Sequence, residues 1–149
     1  MKPSCRIIYR SISAEEFPTN EDILDLAEVS ARNNQRDGIT GLLILSGSQF
    51  LQVLEGEVQP VNALFQRICR DPRHHSVELV QYENTSETYF QEWNMRLVDL
   101  YDLPMEKRSL FMDKYEHNDG RVRIPSGFQL AFALLLDAKA ICMNQRWKG

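Results

Sequence analysis

The chain has 149 residues, 43% of them hydrophobic and 26% charged, which suits a soluble protein with one substantial core. Seventeen basic residues against 21 acidic ones give a net charge of −4, which argues against a general nucleic-acid-binding surface. An apolar run of about 18 residues, the minimum for a membrane span, is absent.

Met1-Lys2-Pro3-Ser4-Cys5-Arg6 lacks the apolar stretch of a signal peptide, so a cytoplasmic protein is expected. Cys5, Cys69 and Cys142 are far apart, odd in number and without a CxxC, and read as reduced thiols rather than a metal site. Residues Cys5–Ser11 read as a first strand, with Cys5, Ile7 and Tyr9 on one face and Ile8 on the other. Asn20 is expected to cap a helix that opens with Glu21 and Asp22 and buries Ile23, Leu26, Ala27 and Ala31. Asp37-Gly38 turns into a second strand, Ile39–Ser46, and Gly47-Ser48 makes a tight hairpin into a third, Gln49–Glu55. Gly56 ends that strand, and Pro60 suits the first turn of a second helix, which points Val61, Leu64, Phe65 and Ile68 inward and stops at Asp71-Pro72. Val77–Tyr82 and Met95–Leu100 read as fourth and fifth strands.

The order is β-α-β-β-α-β plus one strand, an α+β, ferredoxin-like plan. The second strand, with Leu42-Leu43-Ile44-Leu45, is apolar on both sides and therefore needs cover on both faces. Two helices supply one layer. Helices at 104–117 and Phe128–Cys142 are expected to supply the other, with Arg121–Gly127 as a loop. A division follows into residues 1–102 and a helical extension, 103–149, with no separate effector domain.

A glutamine stands at the centre of the third strand. Phe50, Gln52 and Leu54 share a face that should be buried, and an unpaired primary amide there costs about 1–3 kcal/mol. If the first and third strands lie side by side and parallel, Tyr9 stands next to Gln52 and both face the helices. The inward stripe of the first helix continues through Ser30 to Asn34. Leu26 and Ile68 face each other from opposing helices. An apolar slot with a few converging hydrogen-bonding groups suits a planar heteroaromatic ligand. A plainer reading stays open, in which Tyr9 and Gln52 bond only each other and Asn34 caps its helix.

The set Tyr9, Asn33-Asn34, Gly38-Ile39-Thr40-Gly41, Phe50-x-Gln52-x-Leu54-Glu55-Gly56, Asp71-x-Arg73-His74 and Trp93-x-Met95 resembles the BLUF domain, a flavin-based blue-light sensor. The resemblance covers roughly residues 5–100 and extends weakly into the C-terminal helices, as in the short stand-alone members. It implies a non-covalent flavin, FAD or FMN, between the two helices. By resemblance, Gln52 bridges Tyr9 and the flavin edge carrying N5 and O4, and Asn34 holds O4 and the neighbouring imide N–H. Arg67 meets the other ring carbonyl, while Asn33, Arg73 and His74 lie toward the ribityl chain or phosphate. Asp71 binds ribityl hydroxyls or pairs with Arg67. Leu26 and Ile68 sandwich the ring, with Ser30 and Phe50 on the slot.

The resemblance also implies the light step. The excited flavin takes an electron and then a proton from Tyr9. During recombination Gln52 rotates or tautomerises and bonds O4 more strongly, giving a small red shift that decays thermally. Trp93 and Met95, two apart, share a strand face if that strand starts early enough, and pass the change to the C-terminal helices. Such members form homo-oligomers, with a decamer of two rings as one form, and bind a response-regulator-like partner in a light-dependent way. Neither nucleic acid nor a membrane is an expected partner, and no enzymatic activity is expected. Adjacent His74 and His75 cannot easily share one ion, so no metal is expected. The alternatives are a flavin-dependent redox enzyme and a flavin-free ferredoxin-like effector-binding module.

Overall fold

The computed structural model describes residues 2–14, 20–118 and 120–143. β1 (Ser4–Ser13), α1 (Asn20–Asp37), β2 (Thr40–Ser46), β3 (Gln49–Glu57), α2 (Val58–Arg70), β4 (His74–Asn84) and β5 (Arg96–Asp99) follow one another as expected. A 3-10 turn at Leu100–Asp102 leads to α3 (Met105–Lys114), a small hairpin of β6 (His117–Asn118) and β7 (Arg121–Val122), and finally α4 (Phe128–Met143). The capping expected of the Asn20 side chain lies outside the described residues.

The main sheet is five-stranded in the order β4-β1-β3-β2-β5. β1 and β3 are neighbours, but they run antiparallel rather than parallel. The crossover through α1 returns β2 to the direction of β1, and the β2–β3 hairpin then reverses β3, which inserts between them. The pairing expected at the centre survives this correction. Tyr9 and Gln52 are direct cross-strand partners, and antiparallel partners share a face.

The alternation of β2 explains why it is apolar on both sides. Leu43 and Leu45 join Cys5, Ile7, Phe50 and Leu54 under α1 and α2, where Ile23 and Val61 are buried. Leu42 and Ile44 join Ile8, Leu51 and Val53 on the other face, which Ala131, Leu134, Leu135 and Ala138 of α4 and Phe111 of α3 seal. Gly41 has to be glycine because an added Cβ would sit 2.1 Å from the Val53 carbonyl oxygen.

Several boundaries differ from expectation. β3 runs through Gly56 to Glu57, and α2 starts at Val58, with Pro60 in its first turn as expected. β4 begins at His74, well before Val77, because Ser13 and Ile12 of β1 already pair with His74 and His75. The helix expected at 104–117 stops at Lys114, and the expected loop after residue 121 opens with β7. The β6–β7 pairing takes His117 from the end of the expected helix and Arg121 and Val122 from the start of the expected loop.

Candidate functional site

Between the sheet and the two front helices lies a cavity of about 510 Å³, within the size range of small-molecule sites. The slot residues expected from the sequence all line it. α1 contributes Leu26, Ser30, Asn33 and Asn34, and β3 contributes Phe50 and Gln52. α2 adds Arg67 and Ile68, the turn that follows adds Asp71 and Arg73, and the start of β4 adds His74. Tyr9 of β1 completes the floor. Asp22, Asp25 and Val29 also line the cavity and were not anticipated. They sit beside the inward stripe at the same helical spacing, so extending the stripe by one position would have found them.

The centre of the site is a chain of hydrogen bonds. The Tyr9 hydroxyl donates to Gln52 Oε1, and Gln52 Nε2 donates to Met95 Sδ at 3.2 Å. Tyr9 is 4% exposed and Gln52 6%. Burial, with Cys69 and Asp71 adding electrostatic repulsion, raises the phenol well above its ordinary 10.0, so Tyr9 stays neutral. Its ring packs at 5.6 Å on Phe65 and edge-on at 6.2 Å against His74. A thioether is a weak acceptor, so the buried Gln52 amide keeps donor capacity for a ligand on the cavity wall.

Asn34, also buried, donates Nδ2 to the Asn94 carbonyl at 2.8 Å, and Asn94 Nδ2 in turn donates to the Ile39 carbonyl at 2.9 Å. These bonds tie the end of α1 to the segment before β5. Asn94 was missed, although it stands between Trp93 and Met95; the bond from Asn34 goes to its backbone carbonyl, and no side-chain pattern reveals that.

Two expectations are corrected here. Asp71 does not pair with Arg67; it holds Arg73, with Nε at 3.0 Å and Nη2 at 2.5 Å. Asp71 is the C-cap of α2, with φ −73° and ψ 121°. It has left the helix, so the spacing of four no longer brings it to Arg67. The Arg73 hydrogen bond holds its carboxyl below the ordinary 3.8. Trp93 and Met95 do not share a face. Met95 packs with the front cluster and Trp93 with the back one. β5 begins only at Arg96, so residues 93–95 precede the alternation. The Trp93 carbonyl instead accepts from Gly41 N–H at 3.0 Å.

His74 lines the cavity with both ring nitrogens engaged, Nδ1 with Ser11 Oγ at 2.7 Å and Nε2 with the Ile68 carbonyl at 2.6 Å. A carbonyl only accepts, so Nε2 carries a proton, and in the neutral ring Ser11 donates to Nδ1. These two bonds hold His74 on the cavity wall. Arg67, Asn33 and Arg73 keep exposed positions on the rim, where an anionic or hydroxylated tail would run.

The family described as BLUF, sensors of blue light using FAD, matches residues 5–96. The chain belongs to the BLUF family. Its curated relatives include the blue light- and temperature-regulated antirepressor BluF of Escherichia coli (strain K12), 32% identical over 94 residues, covering 63% of this chain and 23% of that protein. The photoactivated adenylate cyclase subunit alpha of Euglena gracilis is 33% identical over 92 residues, covering 61% of this chain and 9% of that protein. The chain therefore spans less than a quarter of the length of these relatives. Among solved structures, the dark-state BLUF protein BlrB superposes with a TM-score of 0.76 at 28% identity, covering 96% of this chain and 98% of that one. The photo-activated state of BlsA gives 0.71 at 27% identity, covering 91% and 93%. These BLUF structures share the mixed sheet with helices on both faces. The family's cofactor is FAD, and the cavity has an apolar sandwich, buried amides and a polar rim that suit a flavin.

Proposed function

We propose that this chain is a blue-light photoreceptor in which Tyr9 and Gln52 carry the light step and the output is altered binding to a partner protein in trans. The observation that supports this reading is the buried chain from the Tyr9 hydroxyl through Gln52 to Met95, laid along the cavity wall. In this reading Leu26 and Ile68 hold the flavin ring from two sides. Asn34, with its remaining amide proton and its oxygen, orients the imide edge. Arg67 meets a ring carbonyl, and Asn33 and Arg73 steady the tail.

A bound flavin supplies absorption of blue light and, once excited, a strong one-electron oxidant. Tyr9 is the donor. Its phenol is held neutral by burial, so loss of an electron makes it strongly acidic and its proton leaves along the bond to Gln52 Oε1. Gln52 relays that proton and, by rotating or tautomerising, exchanges its bond partners before the electron and proton return to Tyr9. No covalent bond to the cofactor is made, so the dark arrangement returns thermally. The role is sensory rather than enzymatic. The C-terminal helices α3 and α4 would form the surface read by a homo-oligomer and a response-regulator-like partner.

The test is an absorption spectrum of the flavin-loaded protein in darkness and after blue light. A small, reversible red shift is expected. Gln52→Leu and Tyr9→Phe should both retain flavin and lose the stable shift. A normal shift in either variant removes that residue from the light step.

A further inference from the structure

On the face of the sheet away from the cavity lies a second buried polar cluster. Arg6 of β1 is the cross-strand partner of both Glu55 on β3 and Glu83 on β4, so one guanidinium stands between two carboxylates in a row. Its nitrogens reach Glu55 at 3.1 Å and Glu83 at 2.8 Å. Arg6 is 4% exposed and Glu55 1%. Glu55 has further partners: its carboxylate accepts from the backbone N–H groups of Tyr89, at 3.1 Å, and Phe90, at 2.9 Å. A carboxylate in the core with two backbone donors and one arginine is fixed in position, and so is the segment that supplies the donors.

That segment also touches α4. The Arg6 guanidinium lies 5.3 Å from the ring centres of both Tyr89 and Phe132 of α4. Tyr89 and Phe90 each meet Phe132 edge to face, at 5.5 and 6.2 Å. Lys139 of α4 donates to the Tyr89 carbonyl and pairs with Glu92 at 3.3 Å. A few residues further on, Asn94 and Met95 form the bonds to Asn34 and Gln52 at the cavity. Residues 89–95 are therefore pinned at the cavity at one end, and at Glu55 and α4 at the other. Phe90 at one anchor and Met95 at the other are close in the chain, a short path for a displacement of Met95 to reach α4.

We infer that the Arg6–Glu55 pair is a latch that positions residues 89–95 and transmits the state of Gln52 across the sheet to α4. This rests on the photosensory reading above. Glu55 is then a positioning residue, remote from the cofactor and outside the light step. Gln52→Met95 is the input contact, and Phe132 with Lys139 is the output contact.

The experiment is hydrogen–deuterium exchange of the flavin-loaded chain in darkness and under continuous blue light, read over residues 128–143, alongside the absorption shift. In the unaltered protein α4 exchange should change with light. Glu55→Gln should keep the red shift but lose the α4 response, and its dark recovery should slow by about threefold or more, since the dark position of Met95 is held less firmly. Lys139→Met, at a half-exposed position that does not threaten folding, should likewise keep the red shift and lose the α4 response, and it decides the matter if Glu55→Gln does not fold. An α4 response like that of the unaltered protein in Lys139→Met, or in a folded Glu55→Gln, overturns the latch. So does a red-shifting unaltered protein whose α4 ignores light. Absence of any red shift in the unaltered protein overturns the photosensory reading itself and is recognised from the spectrum alone.

Discussion

The two faces of the sheet are built from the same strands and reach opposite ends. On the back face, Ala131, Leu134, Leu135 and Ala138 of α4 are fully buried against Leu42, Ile44, Leu51 and Val53, and the polar pair Arg6–Glu55 is closed in by its own partners. On the front face, Ile23 and Val61 are buried at the N-terminal ends of α1 and α2, yet Leu26, Leu64, Phe65 and Ile68 further along are only half-buried. The helices close on the sheet at Ile23 and Val61 and leave a cavity over Tyr9 and Gln52. A close-packed face holds the molecule together, and a face left open beside buried amides is a layer that a ligand completes.

The largest effect is expected where packing is complete. Leu135→Ala should cost about 2–5 kcal/mol in chemical denaturation, while the flavin bound per folded molecule stays unchanged. Loss of flavin from the folded variant would mean that the faces are not independent. The front face should respond the other way round. Ile68→Ala removes half-buried surface and should lower the stability of the flavin-free protein by about 1 kcal/mol or less, yet weaken flavin binding by about tenfold in a titration. Equal effects on stability and binding would erase the contrast.

The smallest effect belongs to the rim. Asp71→Asn breaks a partly exposed pair with Arg73 and should cost less than about 1 kcal/mol. Because Arg73 holds the folded carboxyl below its ordinary 3.8, the contribution is complete above that value and disappears as pH falls through the lower folded one. Thermal melts of the two proteins should therefore differ at about pH 7 and converge at about pH 2. A difference that persists in acid would assign Asp71 a role other than its charge.

How much of this was legible in the sequence depended on the range of the interaction. Alternation along β1, β2 and β3 and the helical stripes of α1 and α2 are patterns of a few residues, and they announced the element order, the buried faces and part of the cavity lining, Gln52 above all; Asn33, Arg67, Asp71, Arg73 and His74 came from the resemblance to the BLUF family. Asp71 was misread because a helix spacing was carried one residue past the helix end. Trp93 and Met95 were to share a face only if the strand began early enough, and it begins at Arg96.

The sequence by itself determined which side chains are compatible with a half-filled polar slot, since hydrophobic period and amide chemistry are properties of the local chain. Only the tertiary structure decided that β3 runs against β1, that Met95 rather than Trp93 meets Gln52, and that Glu55 closes on Arg6 and the N–H groups of Tyr89 and Phe90. Those contacts join residues dozens of positions apart. Their partners are chosen by strand register and by the path of a connecting segment, which the packing of the whole sheet sets and no local pattern encodes.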